Sequence, residues 1–306
     1  MAKRLLRYLL YSVAVILLAV AGLVAYGYLN LHSRMDRTYA VTVPPVVVPH
    51  GDAAAIERGR YLATSVASCV DCHDNDFGGR VFIDVGPMAT IHGTNLTRGK
   101  GGIGASYTDD DLVRALAHGV RKDGRSVIYM PSHFYKLSEP DTGAIIAFIR
   151  SLPPVDREHP SPRYGPLGAV LTAFGQVELF PAEHIDHANF RFASSDRPAD
   201  PVRAGEQIVA TAGCRGCHGP SFEGGFGPPP GGANLTPVGL EGWTEADFFR
   251  ALREHRRPDG SHIAETMPLA IGQMSDDDLR AMYAYLKTVP PLGAKTASQK
   301  GAAKAD

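Results

Sequence analysis

The sequence has very little cysteine, four residues in 306, and it has no excess of either charge. Its 31 lysines and arginines nearly balance its 32 aspartates and glutamates, so it lacks the basic excess typical of nucleic-acid-binding proteins. Charged residues make up only 21% of the chain and hydrophobic residues 44%, which excludes an acidic disordered protein. We therefore expect no nucleic-acid partner and roughly two globular domains of about 150 residues.

Charge is missing altogether from Tyr8–Leu29, a run of 22 residues near the N-terminus. A helix of that length, at about 1.5 Å per residue, crosses a hydrocarbon core of roughly 30 Å. Three basic residues precede the run, which favours a cytoplasmic N-terminus with the bulk of the chain outside. The alternative is a cleaved signal peptide, because residues 19–21 form an A-x-A site. Both interpretations export the rest of the chain.

The four cysteines all belong to one pattern used twice, C-x-x-C-H: Cys69, Cys72 and His73, then Cys214, Cys217 and His218. A disulfide would not explain a histidine after both pairs, and pairs 145 residues apart do not fit a zinc ribbon. A thioredoxin-like dithiol needs a βαβ context that is missing here. In an exported chain the pattern is the signature of haem c, with two thiols holding the porphyrin and the histidine binding iron. We therefore expect two covalently bound haem c groups.

The repetition extends beyond these motifs, because residues 107–155 align with residues 243–292 with a single gap. The alignment places Met130 and Met267, each followed by proline, at the same position. A lone methionine is more often a packing residue, but two in the same register predict the sixth ligands of the two irons. Other methionines lack such a partner, and we expect them to be packing or surface residues.

The secondary structure is expected to be helical with long loops rich in glycine and proline. A hydroxyl residue stands three positions before a carboxylate at four places, which predicts helix N-termini at Thr108, Ser138, Thr244 and Ser275. Residues 77–95 and 222–234 look too irregular for a sheet and are expected to cover the porphyrin edges. The alignment also pairs His262 with Arg125, so we expect His262 to be a surface or packing residue.

These observations predict the following division: a membrane anchor or signal peptide at 1–31, a linker at 32–52, a first haem domain at 53–154, a connector at 155–200, a second haem domain at 201–292 and a disordered tail at 293–306. The connector has no counterpart in the repeat. Its apolar stretch, residues 167–180, predicts a short amphipathic helix lying on a haem domain, the membrane or a partner.

Stretches such as "YTDDDLVRALAHGVRKDGR" and "MSDDDLRAMYAYLKTVPP" resemble the cytochrome c subunits of bacterial membrane-bound alcohol, aldehyde and gluconate dehydrogenases. The resemblance covers about residues 53–292. It implies an all-α fold with tandem cytochrome c-like domains, His/Met iron and a location on the periplasmic side of the cytoplasmic membrane. Those subunits usually have three haem domains, and this sequence has two.

The resemblance implies electron transfer rather than catalysis, from a dehydrogenase or quinol-oxidising complex towards an oxidase or another respiratory or photosynthetic complex. One alternative is a dihaem peroxidase, which needs an exchangeable iron position beside an acid–base group. The matching methionines, Met130 and Met267, argue against that enzyme. A transmembrane haem sensor is a second alternative, but about seven residues before the span are too few for an output domain.

Overall fold

The computed structural model describes residues 2–132, 136–225, 231–264 and 266–293. These residues are mostly helical, as the sequence predicts, and their α-helices are α1 (Ala2–Met35), α2 (Ala53–Tyr61), α3 (Val70–His73), α4 (Asp109–His118), α5 (Glu139–Ser151), α6 (Pro166–Ala173), α7 (Pro201–Thr211), α8 (Arg215–His218), α9 (Glu245–Glu254) and α10 (Asp276–Leu286). A π-helical turn, Leu62–Val66, follows α2, and 3-10 turns span Pro181–His184 and Leu269–Gln273. From residue 294 onward, the predicted disordered tail lies outside the described residues.

The four predicted helix N-termini are confirmed. At the start of each of these helices, a side-chain hydroxyl accepts a hydrogen bond from the backbone N–H three residues further on. The hydroxyls belong to Thr108 in α4, Ser138 in α5, Thr244 in α9 and Ser275 in α10. In α4 and α9, the carboxylates of Asp111 and Asp247 accept a bond from the cap residue in return. These bonds satisfy N–H groups that a first helical turn leaves unpaired, so the local sequence fixes where each helix begins.

Two equivalent helix pairs form the frame of the repeat, α2 against α5 and α7 against α10. In each pair a glycine faces a backbone carbonyl of the partner helix. A Cβ atom at Gly59 would overlap the Ala144 oxygen and lie 2.9 Å from the Ile145 nitrogen. The corresponding atom at Gly205 would overlap the Ala281 oxygen. Both crossings therefore depend on the missing side chain of a glycine.

The two halves of the chain pack against each other. Leu62 of the π-helical turn lies in the same buried cluster as Leu279 of α10. The hydroxyl of Tyr61 donates to the Asp278 carboxylate at 2.5 Å and accepts from the Ser275 backbone N–H at 3.1 Å. The π-helical turn and α3 also contact the second 3-10 turn. The segment around the first cysteine motif thus rests on the second half of the chain.

The expectation of a purely α-helical fold is wrong in one place, where a small antiparallel sheet forms from β1 (Val81–Val85), β2 (Ala89–His92) and β3 (Arg163–Tyr164). β1 and β2 form a hairpin with Val85 opposite Ala89. β3 comes from the connector and pairs with β2, placing Tyr164 opposite Ala89. The hairpin lies in the loop that the sequence predicts to be irregular. Its β-branched residues form strands there because the distant third strand pairs beside them.

The apolar N-terminal helix is confirmed: Lys3–Met35 is long and apolar enough, by length and composition, to cross a membrane. The large apolar side chains along its first half are exposed. Its last turns pack against α6, where Gly27 and Leu31 are buried. α6 begins one residue before the apolar stretch of the connector and covers its first half, so the helix expected there is present but shorter, and it contacts α1.

Candidate functional site

Each C-x-x-C-H motif forms one helical turn, α3 in the first half and α8 in the second. The His73 backbone N–H donates to the Cys69 oxygen at 2.9 Å, and that of His218 donates to the Cys214 oxygen at 3.0 Å. Left-handed backbone ends both turns, with φ of +66° at Asp74 and a glycine at the equivalent place in the second half. The two thiols and the imidazole of each motif are therefore held in one short, tightly wound segment.

Both histidine rings are oriented by the same hydrogen bond. Nδ1 of His73 lies 2.7 Å from the Thr94 carbonyl oxygen, and Nδ1 of His218 lies 2.7 Å from the Ala233 carbonyl oxygen. A carbonyl can only accept, so Nδ1 carries the proton and Nε2 keeps its lone pair. Burial lowers the pKa of both rings, against a smaller upward effect of the carbonyl bond, which favours the neutral form. A neutral imidazole with a free Nε2 is ready to bind iron.

No disulfide joins the four cysteines. Burial raises the pKa of Cys69, Cys72 and Cys214 to about 12, and it raises the pKa of Cys217 as well. Redox-active C-x-x-C pairs have a lowered pKa, so these thiols have the opposite character. Two neutral thiols beside a neutral imidazole with a free Nε2 fit the covalent attachment of haem c better than they fit a dithiol enzyme.

A glycine brings the following loop against each motif. A Cβ atom at Gly93 would overlap the Cys72 carbonyl oxygen. At Gly232 the atom would overlap the Cys217 oxygen and lie 3.0 Å from the His218 nitrogen. The next residue in both loops supplies the carbonyl that orients the histidine. The glycines are therefore needed for the close approach that makes this hydrogen bond.

Asn95 and Asn234, each in an N-x-T sequence, tie these loops to the end of their repeat. Asn95 Oδ1 accepts bonds from the N–H and hydroxyl of Thr97, and its Nδ2 donates to the Val155 oxygen at 2.7 Å. Asn234 makes the same bonds, including one from Nδ2 to the Leu292 oxygen at 2.7 Å. Asn95 is fully buried, so it serves as a structural clamp and not as a glycan site.

The two candidate methionine ligands lie in irregular, partly buried chain directly before a proline. Met267 packs against the same buried cluster as Cys214. The turn before each methionine contains an equivalent hydrogen bond. The Val127 N–H donates to the Gly119 oxygen, and the Ile263 N–H donates to the His255 oxygen, both at 2.8 Å. The turns before the two methionines are thus equivalent, although Met130 follows Val127 by three residues and Met267 follows Ile263 by four.

The structure corrects one detail of the repeat alignment. Isolated β-bridges join Val120 to Ser126 and Arg256 to His262 at equivalent places. His262 therefore corresponds to Ser126 and not to Arg125, and the gap falls later, just before the methionine. Two of the methionines that have no partner in the alignment differ in their positions: Met274 is buried, with 2% of its surface exposed, and Met88 lies in the β1–β2 turn.

Tyr129 was not singled out by sequence reasoning. It precedes Met130 and has a left-handed backbone with φ of +57°. Its N–H donates to the Leu179 oxygen at 2.9 Å, and its ring packs against Phe82 with centroids 5.8 Å apart. Burial raises the pKa of Tyr129. Its contacts with Phe82 and Leu179 join segments about 50 residues apart on either side, which a local pattern could not reveal.

Comparison with known proteins finds matches over both halves of the chain. Residues 202–290 match the family model described as cytochrome c. The chain is 30% identical over 275 residues to the cytochrome c subunit of an alcohol dehydrogenase (quinone) from Gluconobacter oxydans, covering 79% of this chain and 56% of that protein. It is 32% identical over 289 residues to the gluconate 2-dehydrogenase cytochrome c subunit of Pantoea cypripedii, covering 80% and 61%.

A shorter relative matches along most of its own length. This diheme cytochrome c-type protein of Cereibacter sphaeroides is 29% identical over 269 residues, which cover 79% of this chain and 87% of that protein. By contrast, the chain spans little more than half the length of the cytochrome subunits of the fructose, alcohol and gluconate dehydrogenases that it matches, from 53% to 61%.

Proposed function

We propose that this chain is a membrane-anchored dihaem electron carrier. It contains a cytochrome c domain and is homologous to cytochrome c subunits of fructose, gluconate and quinone-linked alcohol dehydrogenases. A cytochrome c domain implies covalently bound haem c and electron transfer. Residues 53–154 and 201–292 form the two proposed haem domains, residues 155–200 connect them, and residues 1–31 anchor the chain, with 32–52 as linker. The observation that carries the proposal is the repeated bond from histidine Nδ1 to a carbonyl, which leaves both Nε2 atoms free.

Each half supplies its own attachment and ligand residues. Cys69 and Cys72 hold the first porphyrin, and Cys214 and Cys217 hold the second. The iron ligands are His73 with Met130 in the first half and His218 with Met267 in the second. Haem c would supply a one-electron couple, and a methionine sulfur as an iron ligand would shift it towards the ferrous state. Two full ligand sets leave the chain suited to relay electrons and unsuited to activate peroxide.

The relatives support the proposed donor. Two of them are named as subunits of alcohol and gluconate dehydrogenases, so we propose a dehydrogenase, or a quinol-oxidising complex, as the electron source. The diheme relative supports a count of two haems. The proposed acceptor is an oxidase or another respiratory or photosynthetic complex. α1 fits a single span of the bacterial cytoplasmic membrane, with both haem domains on the periplasmic side.

Single substitutions of the two methionines test this proposal by redox potentiometry. Met130→Ala should lower one of the two resolved reduction potentials and leave the other unchanged, and Met267→Ala should lower the other one. The expected shift is on the order of 0.1 V, within the ~0.8 V range that axial ligands span. The weak far-red band of sulfur-bound ferric iron should lose about half its intensity in each variant.

Met88→Ala is the matched control, because that methionine lies in the β1–β2 turn and should change neither potential. Met274→Ala is unsuitable because the residue is buried in the core. The ligand assignment is wrong if Met88→Ala removes half of the band and Met130→Ala leaves it intact. Substantial peroxidase turnover by the unmodified protein would favour the enzyme instead.

A further inference from the structure

We propose that α6 lies in the outer headgroup region of the membrane, beside the end of α1, so that Leu167 and Phe174 insert into the lipid. This inference rests on the proposed N-terminal anchor and adds a second, peripheral membrane contact to it. The proposed partner is a phospholipid bilayer surface. The contact would hold the haem-binding body in one orientation on the membrane.

The first support is the rigid junction between α1 and the connector. α1 is unbroken through Met35, so no flexible joint separates the apolar segment from the body. A Cβ atom at Gly27 would lie only 2.9 Å from the Val170 nitrogen, which shows how closely α6 crosses α1. Leu31 is 1% exposed at this crossing, and the Tyr28 hydroxyl donates to the Tyr164 oxygen at 3.0 Å.

Arg34 locks the same junction one turn further on. Its guanidinium donates to both oxygens of Glu183, at 2.5 to 3.1 Å, and to the Thr172 carbonyl at 2.8 Å. The side chains of Arg34 and Glu183 are 16% and 15% exposed, so water weakens this ion pair less than it weakens a surface pair. The body is therefore fixed relative to the axis of α1, and its distance from the membrane is fixed too.

The second support is an exposed apolar surface at that junction, formed by Tyr26, Leu29, Leu167 and Phe174 and called the interfacial patch below. These side chains are 50%, 72%, 45% and 57% exposed, in that order. Tyr26 on α1 contacts Phe174 after α6, with ring centroids 6.0 Å apart. The sequence of α6, PLGAVLTA, contains no charged residue. The patch is thus continuous with the apolar surface of α1 and joins the two elements.

The position of the patch along α1 favours lipid as its partner. Two tyrosines, Tyr8 and Tyr11, lie near one end of the apolar run, and Tyr26 and Tyr28 lie near the other. Tyr8 and Tyr28 are about 30 Å apart along a helix, the thickness of a hydrocarbon core, and tyrosine is enriched at both membrane interfaces. Because Phe174 touches Tyr26, it lies at the level of the outer headgroups. A soluble partner would have to approach this level through the lipid surface.

Accessibility of introduced cysteines in the full-length protein tests the proposal. Three variants each introduce one thiol at an exposed position: Leu17→Cys on α1 (63% exposed), Phe174→Cys in the interfacial patch (57%) and Val238→Cys in the second half of the chain (48%). Each is reconstituted in phospholipid nanodiscs and treated with a charged maleimide, and labelling is followed by mass. Wild type gives the background, and denatured samples show that every introduced thiol can react.

We expect Val238→Cys to react fast, Leu17→Cys hardly at all, and Phe174→Cys about tenfold or more slower than Val238→Cys. A rise of one unit in the pKa of a thiol in the low-dielectric interface removes about nine-tenths of its reactive thiolate. Equal rates at positions 174 and 238 with an unreactive position 17 would overturn the lipid contact while leaving the anchor intact, and would make the patch a protein-binding surface. Fast labelling at position 17, or loss of that residue by cleavage, would refute the anchor itself.

Discussion

Replacing Gly59 with alanine should destabilise the first helix pair more than any gain in helix propensity can offset. The new Cβ would overlap the Ala144 carbonyl oxygen and lie 2.9 Å from the Ile145 nitrogen. Both neighbours are backbone atoms of α5, so no side-chain rotation relieves the clash, and α2 must move away. Gly205→Ala repeats the experiment in the second half, where the new atom would overlap the Ala281 oxygen.

The size of the effect follows from two opposing terms. Alanine in place of glycine favours a helix by about 1 kcal/mol. Forcing an extra carbon into a packed contact costs about 1 to 3 kcal/mol and occasionally more, and a clash with backbone places this site at the upper end. We expect a net loss of about 1 to 2 kcal/mol, which corresponds to a fall in Tm of roughly 2 to 8 °C in a chain of this size.

Thermal melts recorded by far-UV circular dichroism, and in parallel by the haem absorption, measure this loss. Gly86→Ala is the control, because its Cβ would meet nothing within 4 Å. We expect both Gly59→Ala and Gly205→Ala to melt below wild type and Gly86→Ala to melt with it. Melting of Gly59→Ala within a degree of wild type would refute the close crossing of α2 and α5.

Two further predictions concern hydrogen bonds at the ends of elements. Burial raises the pKa of Asp111, but hydrogen bonds from Thr108 and the nearby Arg114 more than offset this, so the pKa is lowered overall. The ionised carboxylate therefore stabilises the fold at a pH above its unfolded pKa. This stabilisation is lost as the pH falls through its folded pKa. The loss in free energy of unfolding caused by Asp111→Asn, measured in urea, should therefore be full at neutral pH and shrink below about pH 4; a loss independent of pH would contradict it. Asn95→Ala should lower the free energy of unfolding by about 2 kcal/mol or more, because it leaves the buried Thr97 N–H unpaired and removes the bond to the Val155 oxygen. Asn234→Ala should cost less because Asn234 is more exposed; an inverted order of the two losses in urea would contradict the clamp.

The features that the sequence predicted well are local ones. The four caps, such as Thr108 and Ser275, follow from a hydroxyl and a carboxylate three residues apart, and such a pattern needs no distant partner. The two cysteine motifs also fold locally, each within a single helical turn.

The features that the sequence did not predict are contacts between distant segments. β2 becomes a central strand only because Arg163–Tyr164 of the connector pairs beside it, some 70 residues away in the chain. The bond from Tyr61 to Asp278 joins the two repeats and has no periodic signature. Likewise, the carbonyl that orients His73 comes from a loop 21 residues away, and its only trace in the sequence is the glycine before it.

The intact mass of the exported protein shows how many haems the chain carries. We expect a chain heavier than its polypeptide by two haems, with Cys72→Ala weakening attachment in the first half alone and Cys217→Ala in the second alone. Removal of residues 1–21 would shorten the polypeptide without changing the haem count, so the measurement separates processing from cofactor content. A mass that matches the bare polypeptide, or the polypeptide with a single haem, would contradict the dihaem carrier.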